Sequence, residues 1–216
     1  METLWQPLIQ SLRIATVATL GAMLIAVPLG YFLARKKFVG KAILETFLTL
    51  PLVLPPTVVG YLLLVLLGHN GWLSRPFHFS VVWTWYGAAI AAGVVAFPLL
   101  LLPTRAAFAS VDRELEEVSR LMGANRLQVF WHVSIPLALR GIASGVLLAF
   151  ARALGEFGAT VMVLGVRDRT RTLPIFVYDE FEDLNPKGLV PAVVLLIFVT
   201  LAVMIVYNRL PISKEP

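Results

Sequence analysis

Cysteine is absent from the 216-residue chain, which excludes a disulfide framework, a thiol nucleophile and a Cys-ligated metal site. Charge is scarce as well. Asp, Glu, Lys and Arg make up 14% of the residues, against roughly a quarter in a water-soluble globule. That shortage argues against disorder and against a soluble enzyme, since both need more polar surface than this chain holds. No G-x-x-x-x-G-K-[ST] phosphate cradle occurs. The single Gly-Lys pair, Gly40-Lys41, lacks both the upstream glycine and the following Ser or Thr. His69, His78 and His132 are scattered without metal-ligand spacing. Glu114, Glu116 and Glu117 stand together, but at the start of a helix, where carboxylates complement the helix dipole.

What the chain has instead is apolar length. Hydrophobic residues reach 58% and the mean hydropathy is +0.83. Uncharged runs cover 14–34, 46–74, 76–104 and 188–208, and a further apolar run, 141–164, is broken only by Arg152 and Glu156. A bilayer core needs about 20 helical residues to cross. The spacing therefore predicts an all-α integral membrane protein with about five transmembrane helices, near 11–34, 44–67, 84–104, 135–164 and 189–208. The first lacks a basic start and a small-residue cleavage site, so it reads as a retained span rather than a signal peptide.

The net charge of +5 and the pI near 9.8 would suit nucleic acid, but the cations sit in short segments between apolar runs. Alternating spans place eleven of the 18 Lys and Arg on one side, including Arg35, Lys36, Lys37, Arg105, Arg113, Arg120 and Arg126. Five fall on the other side: Arg75, Arg167, Arg169, Arg171 and Lys187. By the positive-inside rule the N-terminus lies outside and the C-terminus inside. The second span carries Pro51, Pro55 and Pro56, which predicts one helix kinked or briefly unwound at Leu54-Pro55-Pro56. Irregular backbone at membrane depth must be covered by protein or line a cavity, so a packing kink and a pathway wall are both open.

The inner segment 105–134 carries the most information. Asp112 suits an N-cap, Glu114 the first turn, Arg120 the last turn, and Gly123 the left-handed residue that ends a helix. Leu115, Val118 and Met122 form an apolar stripe. A second short helix starting at Asn125 would show Leu127, Phe130 and Trp131 on one side, and Ser134 and Pro136 would open the fourth span, Ser as cap. Two short helices at a glycine turn suit a docking surface. They equally suit an interfacial helix anchored in headgroups by Trp131.

Glu117-Val118-Ser119, three residues, Gly123, nine residues and then Val133-Ser134-Ile135-Pro136 resembles the EAA loop of ABC importer permeases. Val118, Ser119, Val133 and Ile135 depart mildly from that pattern, while Glu, Gly and Pro keep their spacing. Residues 51–61, Pro-Leu-Val-Leu-Pro-Pro-Thr-Val-Val-Gly-Tyr, resemble the second-span signature of the molybdate branch. Residues 150–160, Phe-Ala-Arg-Ala-Leu-Gly-Glu-Phe-Gly-Ala-Thr, resemble its fourth span, and Arg171-Thr172-Leu173-Pro174 with Tyr178 its outer loop.

The resemblance implies a type I permease domain over 8–207, an N-terminal 1–7 outside and a tail of 208–216 inside, in the inner or plasma membrane. It implies an ATPase-coupling surface at Glu117, Gly123, Ala124, Leu127, Phe130, Trp131 and Pro136. The partners it implies are a second copy of the chain, two ATP-binding subunits, an extracytoplasmic oxyanion-binding protein and membrane lipid, with no nucleic acid. No cofactor is expected on this chain, ATP and Mg being held by the ATPase. Molybdate is the implied cargo, with tungstate, sulfate and thiosulfate as alternatives.

For the path itself the residues to watch are Pro55, Pro56, Thr57, Arg152, Glu156 and Thr160. Arg152 and Glu156 are four apart and each costs about 2.5–3.5 kcal/mol at the bilayer centre, so neither should face lipid. They would either shape an anion route or fix helix register as a structural pair. Thr49, Thr57 and Thr160 offer hydroxyls, although isolated Thr in such helices usually bonds its own backbone. Small residues at 141, 145, 149 and 153 predict close helix packing there, with a dimer interface as one use. A stand-alone oxyanion channel or carrier, and a membrane anchor that recruits a soluble protein, are the competing functions.

Overall fold

Small residues bring the helices together. In lipid no hydrophobic force separates a side chain from its surroundings, so association relies on close backbone approach and van der Waals contact. The structure, a computed structural model, describes residues 4–69, 71–72, 81–165 and 171–209. In chain order the helices are α1 (Trp5–Arg35), α2 (Lys41–Val53), α3 (Pro56–Leu67), α4 (Trp85–Ser110) and α5 (Arg113–Leu121). They continue as α6 (Arg126–Val129), a π-helical turn (Phe130–Ser134), α7 (Ile135–Leu154), α8 (Gly158–Leu164), α9 (Leu173–Glu182) and α10 (Pro186–Arg209).

The core is α1, α4 and α7. Ala15, Ala18, Ala22 and Ala26 of α1 meet Ala88, Ala89, Ala92 and Ala96 of α4, and Ala149 and Ala153 of α7 close the third side. A Cβ on Gly141 would collide with that of Ala107, and one on Gly145 would lie 2.9 Å from the Leu100 carbonyl oxygen. The expected small-residue row is therefore used inside the chain, against α4.

Among the described residues four helices are long and apolar enough to cross a membrane, and the bent pair α2–α3 makes a fifth when taken as one broken span. Their bend is 113°, far beyond the expected kink. The reason is local: Pro55 and Pro56 supply no N–H, and the residue before a proline is held extended, as Leu54 is at ψ 142°. The pair still carries the chain from one end of the bundle to the other. Lys41 Nζ donates to the Leu33 carbonyl at the end of α1, and Val81 N–H bonds the Leu67 carbonyl beside the start of α4.

The fourth span is also broken. A single helix over 135–164 was expected, but α7 stops at Leu154 and α8 restarts at Gly158. At its other end the helix begins earlier than expected. Asn125 and Gln128 form a capping box, and the helix runs through the π-helical turn into α7. Ser134 is thus not a cap. Pro136 explains the wide turn: its ring would clash with the carbonyl four residues back, and the Ile135 N–H reaches five residues back to Phe130 instead.

The outer segment 165–187 holds a helix that periodicity did not show. In α9, Leu173 and Phe176 pack on Leu8 and Ala192, and the Leu173 N–H donates to Ser11 Oγ at 2.7 Å. Asp179 pairs with Arg171 at 2.7 Å. Burial nonetheless holds the Asp179 carboxyl above its ordinary range, Arg171 opposing and Asp183 and Glu182 adding to it. Its share of stability is thus greatest in acid and is lost as pH rises through its folded pKa. Arg75, His78, Arg167, Asp168, Arg169 and Lys214 lie outside the described residues.

Candidate functional site

Two separate places gather the chemistry: the α5–α6 loop at the basic end and the paired helix breaks in the bundle.

The loop starts as its residues dictate. Asp112 caps α5 by accepting from the Glu114 N–H at 2.9 Å. Gly123, at φ +95°, ends it, with Gly123 N–H bonded to the Arg120 carbonyl and Ala124 N–H to that of Ser119, both at 3.0 Å. This is the complete left-handed cap that reverses a helix within two residues. A Cβ on Gly123 would meet nothing within 4 Å, so the site is conformational rather than crowded. We expect Gly123→Val to cost about 1–3 kcal/mol of loop order and Gly123→Asn much less, because Asn tolerates this backbone region. Hydrogen exchange across residues 113–129 measures that difference.

The turn sets the loop's apolar side chains outward. Leu121 is 87% and Met122 85% exposed, and Leu115, Val118, Leu127 and Trp131 are exposed beside them. Glu117 is exposed, Ala124 half-buried and Pro136 exposed. Phe130 corrects the expectation that it joins this face. It turns inward, its ring 5.0 Å from Tyr31 and 6.1 Å from Phe108. Adjacent helical residues point about 100° apart, so Phe130 faces inward while Trp131, its ring 5.5 Å away, stays exposed.

Glu116 is the residue that sequence reasoning passed over. Read as one of three first-turn acids, it is in fact 3% exposed and holds α5 to the bundle. Arg35 Nη2 pairs with it at 2.8 Å, and Ser134 Oγ donates to it at 2.7 Å. Arg35, Lys36, Arg113, Arg120 and Arg126 line a cleft of about 260 Å³ around Glu116 and Glu117. The cations counted to one side by the sequence do therefore gather at one end.

At the second place the two breaks lie side by side. A Cβ on Gly158 would stand 3.0 Å from the Pro56 Cβ and 3.1 Å from the Thr57 nitrogen. One on Gly60 would stand 2.8 Å from the Ala159 Cα. Pro55, Pro56 and Thr57 are thus brought against Glu156–Thr160, and irregular backbone from one span covers that from the other. Arg152 and Glu156 do pair, yet not along one helix face, since Glu156 lies beyond the end of α7. Its Oε1 accepts from the Ala159 N–H at 2.7 Å and so caps the start of α8. Glu156 is buried, whereas the Arg152 side chain keeps 30% of its surface exposed. Thr160 donates to the carbonyls of Glu156 and Phe157, and Thr49 to that of Glu45, the local bonding expected of them. From outside, Tyr178 of α9 stacks on Phe157 within the break, ring centroids 5.1 Å apart.

A broken second span, a broken fourth span and an exposed apolar loop between the third and fourth define a multi-span membrane protein. The profile of one such family, described as the inner membrane component of binding-protein-dependent transport systems, matches residues 26–211. The chain belongs to that family. It is 43% identical over 179 residues to the molybdenum transport system permease protein ModB of Escherichia coli K12, covering 81% of this chain and 78% of that one. It is 40% identical over 184 residues to the putative molybdenum permease YvgM of Bacillus subtilis (83% and 81%). With the molybdate/tungstate permease WtpB of Pyrococcus abyssi it shares 34% over 215 residues (97% and 82%).

Among solved structures, a chain of the MetNI methionine ABC transporter in inward-facing conformations superposes at a TM-score of 0.71, with 18% identity, over 95% of this chain and 93% of that one. A bacterial ABC importer of the polysaccharide alginate gives 0.73 at 14% identity (99% and 81%). These likenesses show the fold, that of type I ABC importer permeases.

Proposed function

We propose that the chain is the permease subunit of an ATP-driven importer that moves molybdate or a related oxyanion into the cytoplasm. The observation that carries this reading is the α5–α6 face, whose apolar side chains project from the basic end with nothing among the described residues to cover them. The names of the relatives supply the cargo. On this reading residues 8–207 form the permease domain, between an outer stretch of 1–7 and an inner tail of 208–216. Two copies enclose the path and dock two ATP-binding subunits, which hold ATP and Mg. This chain binds no cofactor of its own, and no nucleic acid is involved.

Glu117, Gly123, Ala124, Leu127, Trp131 and Pro136 form the coupling surface, with Phe130 supporting it from behind. ATP-driven closure of the ATPases moves both loops and swings the spans between inward- and outward-open. The path at Pro55, Pro56, Thr57, Arg152, Glu156 and Thr160 binds cargo weakly, because a tight site would not release it. Selection falls to an extracytoplasmic binding protein. A stand-alone carrier would need ionisable groups free to exchange ions. Arg152 and Glu156 are instead engaged with each other and with the start of α8.

The test is to reconstitute the chain with its ATPase and binding protein and offer molybdate, tungstate, sulfate and thiosulfate in turn. Molybdate or tungstate is expected to stimulate ATP hydrolysis several-fold above sulfate. Uptake that persists without any ATPase subunit would defeat the reading.

A further inference from the structure

A nine-residue helix has room for one apolar stripe, and in α5 that stripe faces outward. Its attachment to the bundle cannot then come from hydrophobic burial, and Glu116 is the one buried residue in the helix. Around that carboxylate four side chains converge, from α1, from the π-helical turn and from α5 itself. Oε1 accepts from Arg35 Nε at 3.0 Å and Nη2 at 2.8 Å, and from Ser134 Oγ at 2.7 Å. The Tyr31 hydroxyl lies 3.5 Å from Oε2, and Arg120 Nη2 lies 3.6 Å away on the same helix. Arg35 Nη2 also donates to the Val111 carbonyl at 3.0 Å, fixing the joint between α4 and α5.

We propose that Glu116 is the positioning residue that makes the α5–α6 loop move as one body with α1 and with the π-helical turn leading into α7. The proposal rests on the permease reading above and adds to it the link through which loop motion reaches the spans. Chemistry favours this residue type. A guanidinium gripping one carboxylate through two N–H groups fixes direction as well as distance, which apolar contacts do not. The Ser134 bond matters because it lands where the helix is widest, and the wide turn is kept open by Pro136, so the loop is tied to a joint rather than to a rigid cylinder. Glu117, next in sequence, points to the exposed side and plays no part in this knot.

The experiment uses the reconstituted transporter with its ATPase and binding protein, and reads oxyanion moved per ATP hydrolysed. Glu116→Gln removes the charge but keeps the shape, leaving the largely covered Arg35 without its ion-pair partner. ATPase subunits are expected to co-purify as in the wild type and hydrolysis to continue, while transport per ATP falls at least about tenfold. Ser134→Ala, which cuts only the bond to the π-helical turn, should fall in the same direction by less. The reversed pair Arg35→Glu with Glu116→Arg should recover most of the loss. Wild-type transport per ATP in Glu116→Gln would overturn the proposal. So would a loss of ATPase binding that the reversed pair does not repair, since the group would then only hold the fold. If the wild-type chain recruits no ATPase at all, the permease reading fails first, and this outcome is visible before any variant is made.

Discussion

Leu121→Asp is expected to abolish capture of the ATPase subunits while leaving the permease folded. Leu121 ends α5 with its side chain 87% exposed, so a carboxylate there stays hydrated in the free chain. Once the loop is seated in a partner, the same carboxylate is buried without a counter-charge at the centre of an apolar contact. Such losses reach several kcal/mol, and a penalty of about 2.7 kcal/mol already weakens binding about a hundredfold. Met122, the neighbouring residue and nearly as exposed, should respond in the same way. Co-purification measures the first effect and thermal unfolding of the permease alone checks the second. A Leu121→Asp permease that still retains its ATPase would place the docking surface elsewhere. An unfolded one would show that the side chain is packed in the membrane-bound protein.

Gly60→Leu is expected to destroy transport by a different route. Here there is no room, because the nearest atoms to an added Cβ are the Ala159 Cα at 2.8 Å and its carbonyl oxygen at 2.9 Å. Backbone cannot rotate aside as a side chain does, so α3 and α8 must separate and expose the two breaks. Overpacking of this kind costs about 1–3 kcal/mol, and more where the opposing atoms are fixed. Uptake should fall below detection and the melting temperature should drop. Gly21→Leu is the matched control, since nothing lies within 4 Å of an added Cβ on that glycine. Equal tolerance of both variants would mean that α3 and α8 are not closely packed in the membrane.

The loop was legible because each of its signals is local. Asp112 as cap, Gly123 as left-handed stop and a second helix start near Asn125 depend on residues within four positions, and all three hold. Phe130 was not legible, because only its contacts with Tyr31 and Phe108, distant in the chain, show that it faces inward. Glu116 was hidden for a similar reason. Three acids at a helix start look alike in sequence, and only contact with Arg35, some eighty residues away, separates the buried one from the exposed ones. The breaks were half visible. Pro55 and Pro56 marked the first, while nothing between Leu154 and Gly158 forbids a continuous helix.

By itself, the sequence determined the membrane class, the apolar lengths of the spans, the side on which the cations gather and the shape of the α5–α6 loop. These follow from hydration cost, helix rise and capping, which act over a few residues or over simple counts. The tertiary structure alone decided that the two broken spans lie against each other, that Glu156 caps a half-helix and that Glu116 is buried. The first and the last depend on which residues distant in the chain come together, about which helical periodicity carries no information, while the cap spans three residues and forms only once the helix is broken.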